Sequence, residues 1–262
     1  LNMLIHLRRV LPNNLQIPIL SVLTAQKKSW KEKQKMKTTK GKLIIMEGLD
    51  GSGKSTQTQL LEEYFFNKNI KYKKIKLPDY DSPSSTLVNM YLGGEFGKNA
   101  NDVNAYAASA FYAVDRFASF KLKWKDDFDN GTLILADRYA TSNSIYQMEK
   151  ISEDKWDEYL KWTEDFEYDK IGIPRPDAVI YLDMPVDISQ RLMTSRYHGD
   201  EGKKDVHEVN VDFLNACRKS ALYAAEKQGW HILKCSDGKN PYSVEQIHMA
   251  VVEIVDKELS NA

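Results

Sequence analysis

From Lys42 onward, short apolar runs alternate with longer stretches whose apolar positions recur at helical spacing. Short apolar runs bounded by charge or proline mark buried strands, and the longer period marks helices with one face on a core. The pattern predicts strands over "KLIIME" (42–47), "IKYKKIKLP" (70–78, stopped by Pro78), "GTLILADRY" (131–139), "DAVIYLDMP" (177–185) and "GWHILKC" (229–235). Helices are predicted over 54–67, 106–124, from Ala140, over 187–195 and 209–228, and from Tyr242 to the end. In the second of these, Tyr106, Phe111, Val114, Phe117 and Leu122 supply the apolar positions. Residues 196–208 carry glycines and charges and read as a loop. Strands separated by helices make a parallel sheet covered on both faces, an α/β fold. With no repeat and no internal linker, residues 36–262 are expected to form one domain.

The first 35 residues lie outside this pattern. Their longest apolar stretch, "IPILSVLTA", is far shorter than the ~20 residues a membrane span needs. An Arg-bearing, acid-poor start is compatible with an organelle transit peptide. An over-long reading frame is the favoured alternative, because the chain begins with Leu1 and Met36 stands just before the first strand. Composition fits a soluble globular chain, with 42% hydrophobic and 28% charged residues. Two cysteines, Cys217 and Cys235, make no disulfide framework, so a reducing, cytoplasmic setting is expected. Basic and acidic residues balance at 37 each, but nine of the basic ones fall in residues 1–40 beside a single acid, Glu32. The remaining body is acidic, which argues against nucleic acid as a partner.

Between the first strand and the first helix lies "MEGLDGSGKSTQ" (46–57). Gly48-x-x-x-x-Gly53-Lys54-Ser55 is a complete phosphate-binding P-loop pattern. Glycines let backbone N–H groups turn inward around a β-phosphate, the lysine reaches the β and γ oxygens, and the serine hydroxyl ligates Mg²⁺. Gly48, Leu49, Asp50, Gly51, Ser52, Gly53, Lys54, Ser55 and Thr56 are therefore the expected ATP-binding residues. No Asn-Lys-x-Asp guanine motif follows, and the chain has the size of a small-molecule kinase.

A second block, "LILADRYATSNSIYQ" (133–147), places Asp137 and Arg138 at the end of a predicted strand. Ligands bind at the carboxyl edge of such sheets. A carboxylate there can hold a metal-bound water or tune Lys54, and an arginine fork suits a phosphate. In "FYAVDR", Tyr112 and Arg116 stand four apart and share one helix face.

In these blocks the chain resembles bacterial-type thymidylate kinases, a P-loop NTPase fold with a short lid. "EGLDGSGKST", "FYAVDR", "DRYATSNSIYQ", "PDAVIYLDMP" and the charged loop before "DVHE" follow in that family's order, from about Lys42 to the C-terminus. The resemblance implies transfer from ATP to dTMP with Mg²⁺, held by Ser55 and, through water, by Asp137. It implies that Arg138 holds the acceptor phosphate, Asn143 the base side and Tyr146 the deoxyribose. Tyr112 would stack on thymine, Arg116 donate to its O4, and Asp50, Tyr80 and Ser142 complete the dTMP site. Lys54 and Arg138 would serve catalysis. Because Gly51 leaves the P-loop without an arginine, Arg196 in the lid would supply the remaining charge, with Lys203, Lys204 or Arg191 as substitutes. Two arginines usual in the family are absent, at Asp79 and Val206. The family implies a homodimer, although core packing explains the apolar helix faces over 106–124 and 141–148 equally well. Two rivals stand beside this reading: a deoxynucleoside kinase using Asp79 or Asp81 as base, and a nucleotide-binding module without turnover.

Overall fold

A computed structural model describes residues 40–97, 99–196 and 211–260, apart from the side chains of Ala100, Ser195 and Arg196. The chain divides into two units, Leu1–Thr39 and Lys40–Ala262, and the second carries all the described residues. Among the described residues its strands are β1 (Leu43–Gly48), β2 (Tyr72–Lys76), β3 (Leu133–Asp137), β4 (Ala178–Asp183) and β5 (His231–Lys234). They pair in the order β2-β3-β1-β4-β5 and every pairing is parallel.

The three central strands are buried at every position, as the continuous apolar runs predict. Alternate side chains feed two separate cores. Leu43 and Ile45 of β1 join one cluster with Ile134, Ala136, Val179 and Tyr181. Ile44 and Met46 join the other with Leu133, Leu135, Ile180 and Leu182. The edge strands are half-exposed, and β2 carries Lys73, Lys74 and Lys76, a charge pattern that discourages pairing with another edge.

Helices α1 (Lys54–Asn67), α2 (Thr86–Leu92), α3 (Ala105–Ser119), α4 (Lys125–Asp129), α5 (Thr141–Tyr146), α6 (Trp156–Glu164), α7 (Val186–Arg196), α8 (Val211–Gln228) and α9 (Val244–Ser260) cover both faces. Leu61 and Phe65 of α1 and Val251 and Val255 of α9 sit in the second core, whereas Ile145 of α5 and Cys217 and Ala221 of α8 sit in the first. The chains leaving β1 and β3, which are neighbours, thus depart to opposite faces. That divergence opens a crevice at the carboxyl edge of the sheet.

Sequence and structure agree on the existence of all five strands, whose ends shift by one or two residues, and agree on α1 to the residue. They differ elsewhere, and the short helix α4 (Lys125–Asp129) is one element that was not expected. The helix expected over 106–124 is α-helical only to Ser119 and continues as a π-helical segment, Phe120–Trp124. Helix α2 was not anticipated, nor was α6 with the π-helical segment that continues it, Asp165–Ile171. The expected loop over 196–208 lies, from 197 on, outside the described residues.

Candidate active site

Strand β1 delivers the P-loop to the crevice. Gly48 has φ 149°, and a Cβ there would come within 2.6 Å of Ser52 Oγ. Gly51 has φ 76°, and a Cβ there would meet Ser189 O and Met193 Cγ at 2.9 Å each, so the loop packs directly on α7. Both positions require glycine. Lys54 opens α1, and its Nζ folds back to donate to Gly48 O at 2.7 Å and Leu49 O at 3.1 Å. Burial, then the neighbouring Arg138 charge, pull its pKa down to about 8, against the pull of Asp50 and Asp137.

Arg138 follows β3 with φ 69°, a left-handed conformation uncommon for a residue with a Cβ. Such strain gathers at functional sites. Its guanidinium donates to Asp50 Oδ1 at 2.7 Å and lies over the Tyr146 ring, 4.8 Å from the centroid. The same Asp50 oxygen is 3.8 Å from Lys54 Nζ. One carboxylate oxygen thus bridges the two cations expected to meet phosphate.

The turn bearing Arg138 is anchored by Glu47, which is fully buried in β1. Glu47 accepts from Tyr139 N–H at 3.3 Å, Thr141 Oγ1 at 2.7 Å and Ser142 Oγ at 2.8 Å. Burial raises its pKa, opposed by the Arg138 charge and by the two hydroxyl bonds.

A cavity of about 360 Å³ opens beside these groups, within the range of small-molecule sites. The end expected to meet phosphate is lined by Asp50, Lys54, Ser55, Asp137 and Arg138, and Tyr80, Tyr112, Arg116, Ser142, Asn143 and Tyr146 are among the residues that line the remainder. Every residue expected at the acceptor side therefore meets in one place. Of the expected ATP residues, Gly48, Leu49, Gly51, Ser52, Gly53 and Thr56 build the turn and the start of α1 rather than this wall. Ser142 faces the cavity but spends its hydroxyl on Glu47. Arg196 is the last residue of α7, its side chain lies outside the described set, and Lys203, Lys204 and Val206 are outside it altogether.

Ser55 and Asp137 share the cavity with Lys54, and their hydroxyl and carboxylate are the hard oxygen donors that Mg²⁺ takes. Among the described residues no group of three or more Asp, Glu, His or Cys side chains is placed to hold a metal ion by itself.

At the far end, Tyr112 and Arg116 descend from α3. Tyr91 of α2 meets Tyr112 edge-on, with ring centroids 6.3 Å apart. Arg116 is almost wholly buried and forms a fork with Glu167, its terminal nitrogen on Oε1 and its Nε 3.2 Å from Oε2. Asn143 of α5 donates from Nδ2 to the same Oε1 at 3.2 Å.

Sequence reasoning missed Glu47, Glu167, Gln147, Tyr91 and Lys150 as contributors to this region. Gln147 lines the cavity, and its Oε1 is buried without a hydrogen-bond partner, an expensive condition that a polar ligand relieves.

Residues 46–247 match the sequence profile of the family described as Thymidylate kinase. A thymidylate kinase of Plasmodium falciparum is 30% identical over 180 residues, covering 67% of this chain and 79% of that protein. One of Fervidobacterium nodosum is 29% identical over 216 residues, covering 82% and 99%. The solved thymidylate kinase of Candida albicans shares the fold, with a TM-score of 0.64 at 22% identity over 85% of this chain and 94% of that one. Similar proteins also come from an archaeon and a fission yeast, so the narrower bacterial-type resemblance is not supported.

Proposed function

This chain belongs to the thymidylate kinase family, and from that premise we propose that it moves the γ-phosphoryl group of ATP onto dTMP, giving ADP and dTDP. The observation that carries the assignment is the pair of arginines, Arg138 and Arg116, lining one cavity beside Lys54. Phosphoryl transfer asks a protein for positioning and charge neutralisation, and a monophosphate acceptor is already anionic, so no general base is required.

Lys54 swings from the two loop carbonyls to the β and γ oxygens of ATP. Arg138 exchanges the Asp50 carboxylate for the acceptor phosphate while Tyr146 supports its guanidinium. Ser55 and, through water, Asp137 would hold Mg²⁺, which when bound would neutralise charge on the triphosphate. Tyr112 stacks on the base, and Arg116 and Asn143 read its edge. Arg196 is our candidate for the last positive charge over the transferring group. Loss of kcat and kcat/KM together in Arg196→Ala, with KM for ATP unmoved, supports that role.

The deoxynucleoside-kinase alternative loses its base. Asp79 is paired with Lys123, its N–H donates to Asp115 at 2.8 Å, and neither Asp79 nor Asp81 lines the cavity. Residues 36–262 are the catalytic domain in this reading and 1–35 an extension to it. No described helix is long and apolar enough to cross a membrane. Two buried free thiols and nucleotide substrates support a cytoplasmic setting. Val114 and Phe117 of α3 are 51% and 38% exposed, which supports a homodimer built on that helix.

A coupled assay with ATP, Mg²⁺ and a panel of nucleosides and monophosphates tests the assignment. ADP formation with dTMP and not with thymidine is the expected result. Preference for thymidine assigns the chain to the deoxynucleoside kinases, and no turnover with any acceptor assigns it to nucleotide binding alone.

A further inference from the structure

Glu167 does not line the acceptor cavity, yet two residues that do are fastened to it. Arg116 gives it two hydrogen bonds and Asn143 one, and its carboxylate is fully buried. Burying such a pair costs desolvation, and replacing it with apolar residues is often neutral or stabilising, so a structural reason alone explains it poorly. Its chemistry supplies another reason. An ionised carboxylate accepts hydrogen bonds and cannot donate them. Asn143 can therefore turn only its NH₂ toward Glu167. Its other polar atom, Oδ1, is then the one left for the cavity.

Arg116 is constrained in the same way. Guanidinium has five N–H donors and no acceptor. Two go to Glu167 and one to Tyr139 O at 3.4 Å, which leaves two. The far end of the cavity thus presents one acceptor, from Asn143, beside donors from Arg116. A 4-keto pyrimidine offers the complement, an N3–H donor beside an O4 acceptor. Cytosine offers the reverse, an N3 acceptor beside an N4 amino donor.

We infer that Glu167 is a positioning residue that makes the site selective for keto over amino pyrimidines, by fixing which end of the Asn143 amide faces the cavity. The inference rests on the reading of this cavity as the dTMP site. An asparagine alone does not discriminate, because its amide flips to suit either edge. The carboxylate behind it removes that freedom. A site with buried polar groups committed in this way rejects a mismatched analogue strongly, because the mismatch leaves those groups unpaired.

The test compares kcat/KM for dTMP, dUMP and dCMP in the unsubstituted chain and in Glu167→Gln and Glu167→Asp, with melting temperature and KM for ATP measured alongside. Glutamine offers an NH₂ of its own, so Asn143 can reverse, and the dTMP to dCMP ratio falls by roughly 10- to 100-fold. Aspartate retracts the carboxylate from Asn143 and lowers the ratio less, so it carries the test if the glutamine variant does not fold. KM for ATP stays unchanged in both. A folded variant that loses dTMP and dCMP activity in equal proportion overturns the inference and leaves Glu167 a structural ion-pair partner. So does an unsubstituted chain that takes dCMP as readily as dTMP. A chain that phosphorylates none of the three fails the dTMP reading itself, whatever Glu167 does.

Discussion

Arg138 and Arg116 line one cavity, but the carboxylates that hold them differ in what they permit. The Arg138–Asp50 pair is partly open, with side chains 20% and 30% exposed, and Asp50 sits on the P-loop, proposed above to meet phosphate. The Arg116–Glu167 pair is sealed, at 4% and 0%, and Glu167 lies behind the cavity wall. An open pair is worth little and is readily exchanged for a stronger anion. A sealed pair has no competitor, and breaking it strands a charge. In the proposed reading, the end that takes phosphate trades partners during the reaction, and the end that takes the base stays as it is.

Breaking the sealed end has the largest expected effect. Arg116→Leu leaves Glu167 without its counter-ion and lowers unfolding free energy by about 3–5 kcal/mol, read from urea denaturation. A loss below about 1 kcal/mol means that the pair is not sealed. Lys54→Ala at the open end acts on the reaction instead. It lowers kcat by about 10²- to 10³-fold at an unchanged melting temperature, since one preorganised charge at the transferring group is lost. Asp50→Asn sharpens the contrast, costing no more than about 1 kcal/mol of stability.

The smallest effect is on pH dependence. With Lys54 near pKa 8 in the free site, its ammonium form predominates below that pH and the neutral amine above it. Triphosphate binds the ammonium form, so ATP affinity is level below about pH 8 and weakens above it, by up to roughly tenfold per unit. Calorimetric titration at several pH values reads this directly. A level profile through pH 9 shows that Lys54 does not meet the phosphates.

The same division governs what could be read from the sequence. The phosphate end is contiguous: loop, lysine and serine stand in one run, and Asp137-Arg138 closes an unbroken apolar strand. Local chemistry alone locates these groups. The base end is assembled from α3, α5 and the segment after α6, and Glu167 reaches Arg116 across 51 positions. A signal was nevertheless present. Trp156, Tyr159, Leu160 and Thr163 are buried at helical spacing, and Glu167 continues that stripe. Interleaved acids hid the period in "WDEYLKWTEDFEYDK", and an acid on a core-facing stripe was the mark to look for. Glu47 was hidden differently, inside the apolar run of β1, where its hydroxyl partners lie in the Tyr139–Ser142 turn. Nothing in the sequence foretold that Asp50 would bridge Lys54 and Arg138, since side-chain reach decides it.

The central claim is that the open end recognises a phosphate on the acceptor through Arg138. Its most direct test is equilibrium binding of dTMP and of thymidine to the unsubstituted chain and to Arg138→Ala. The account predicts that dTMP binds more tightly than thymidine to the unsubstituted chain. In Arg138→Ala most of that advantage vanishes, a loss of about 1.5–3 kcal/mol, while thymidine and ATP bind as before. An advantage for dTMP that survives the substitution, or an equal loss for thymidine, would contradict it.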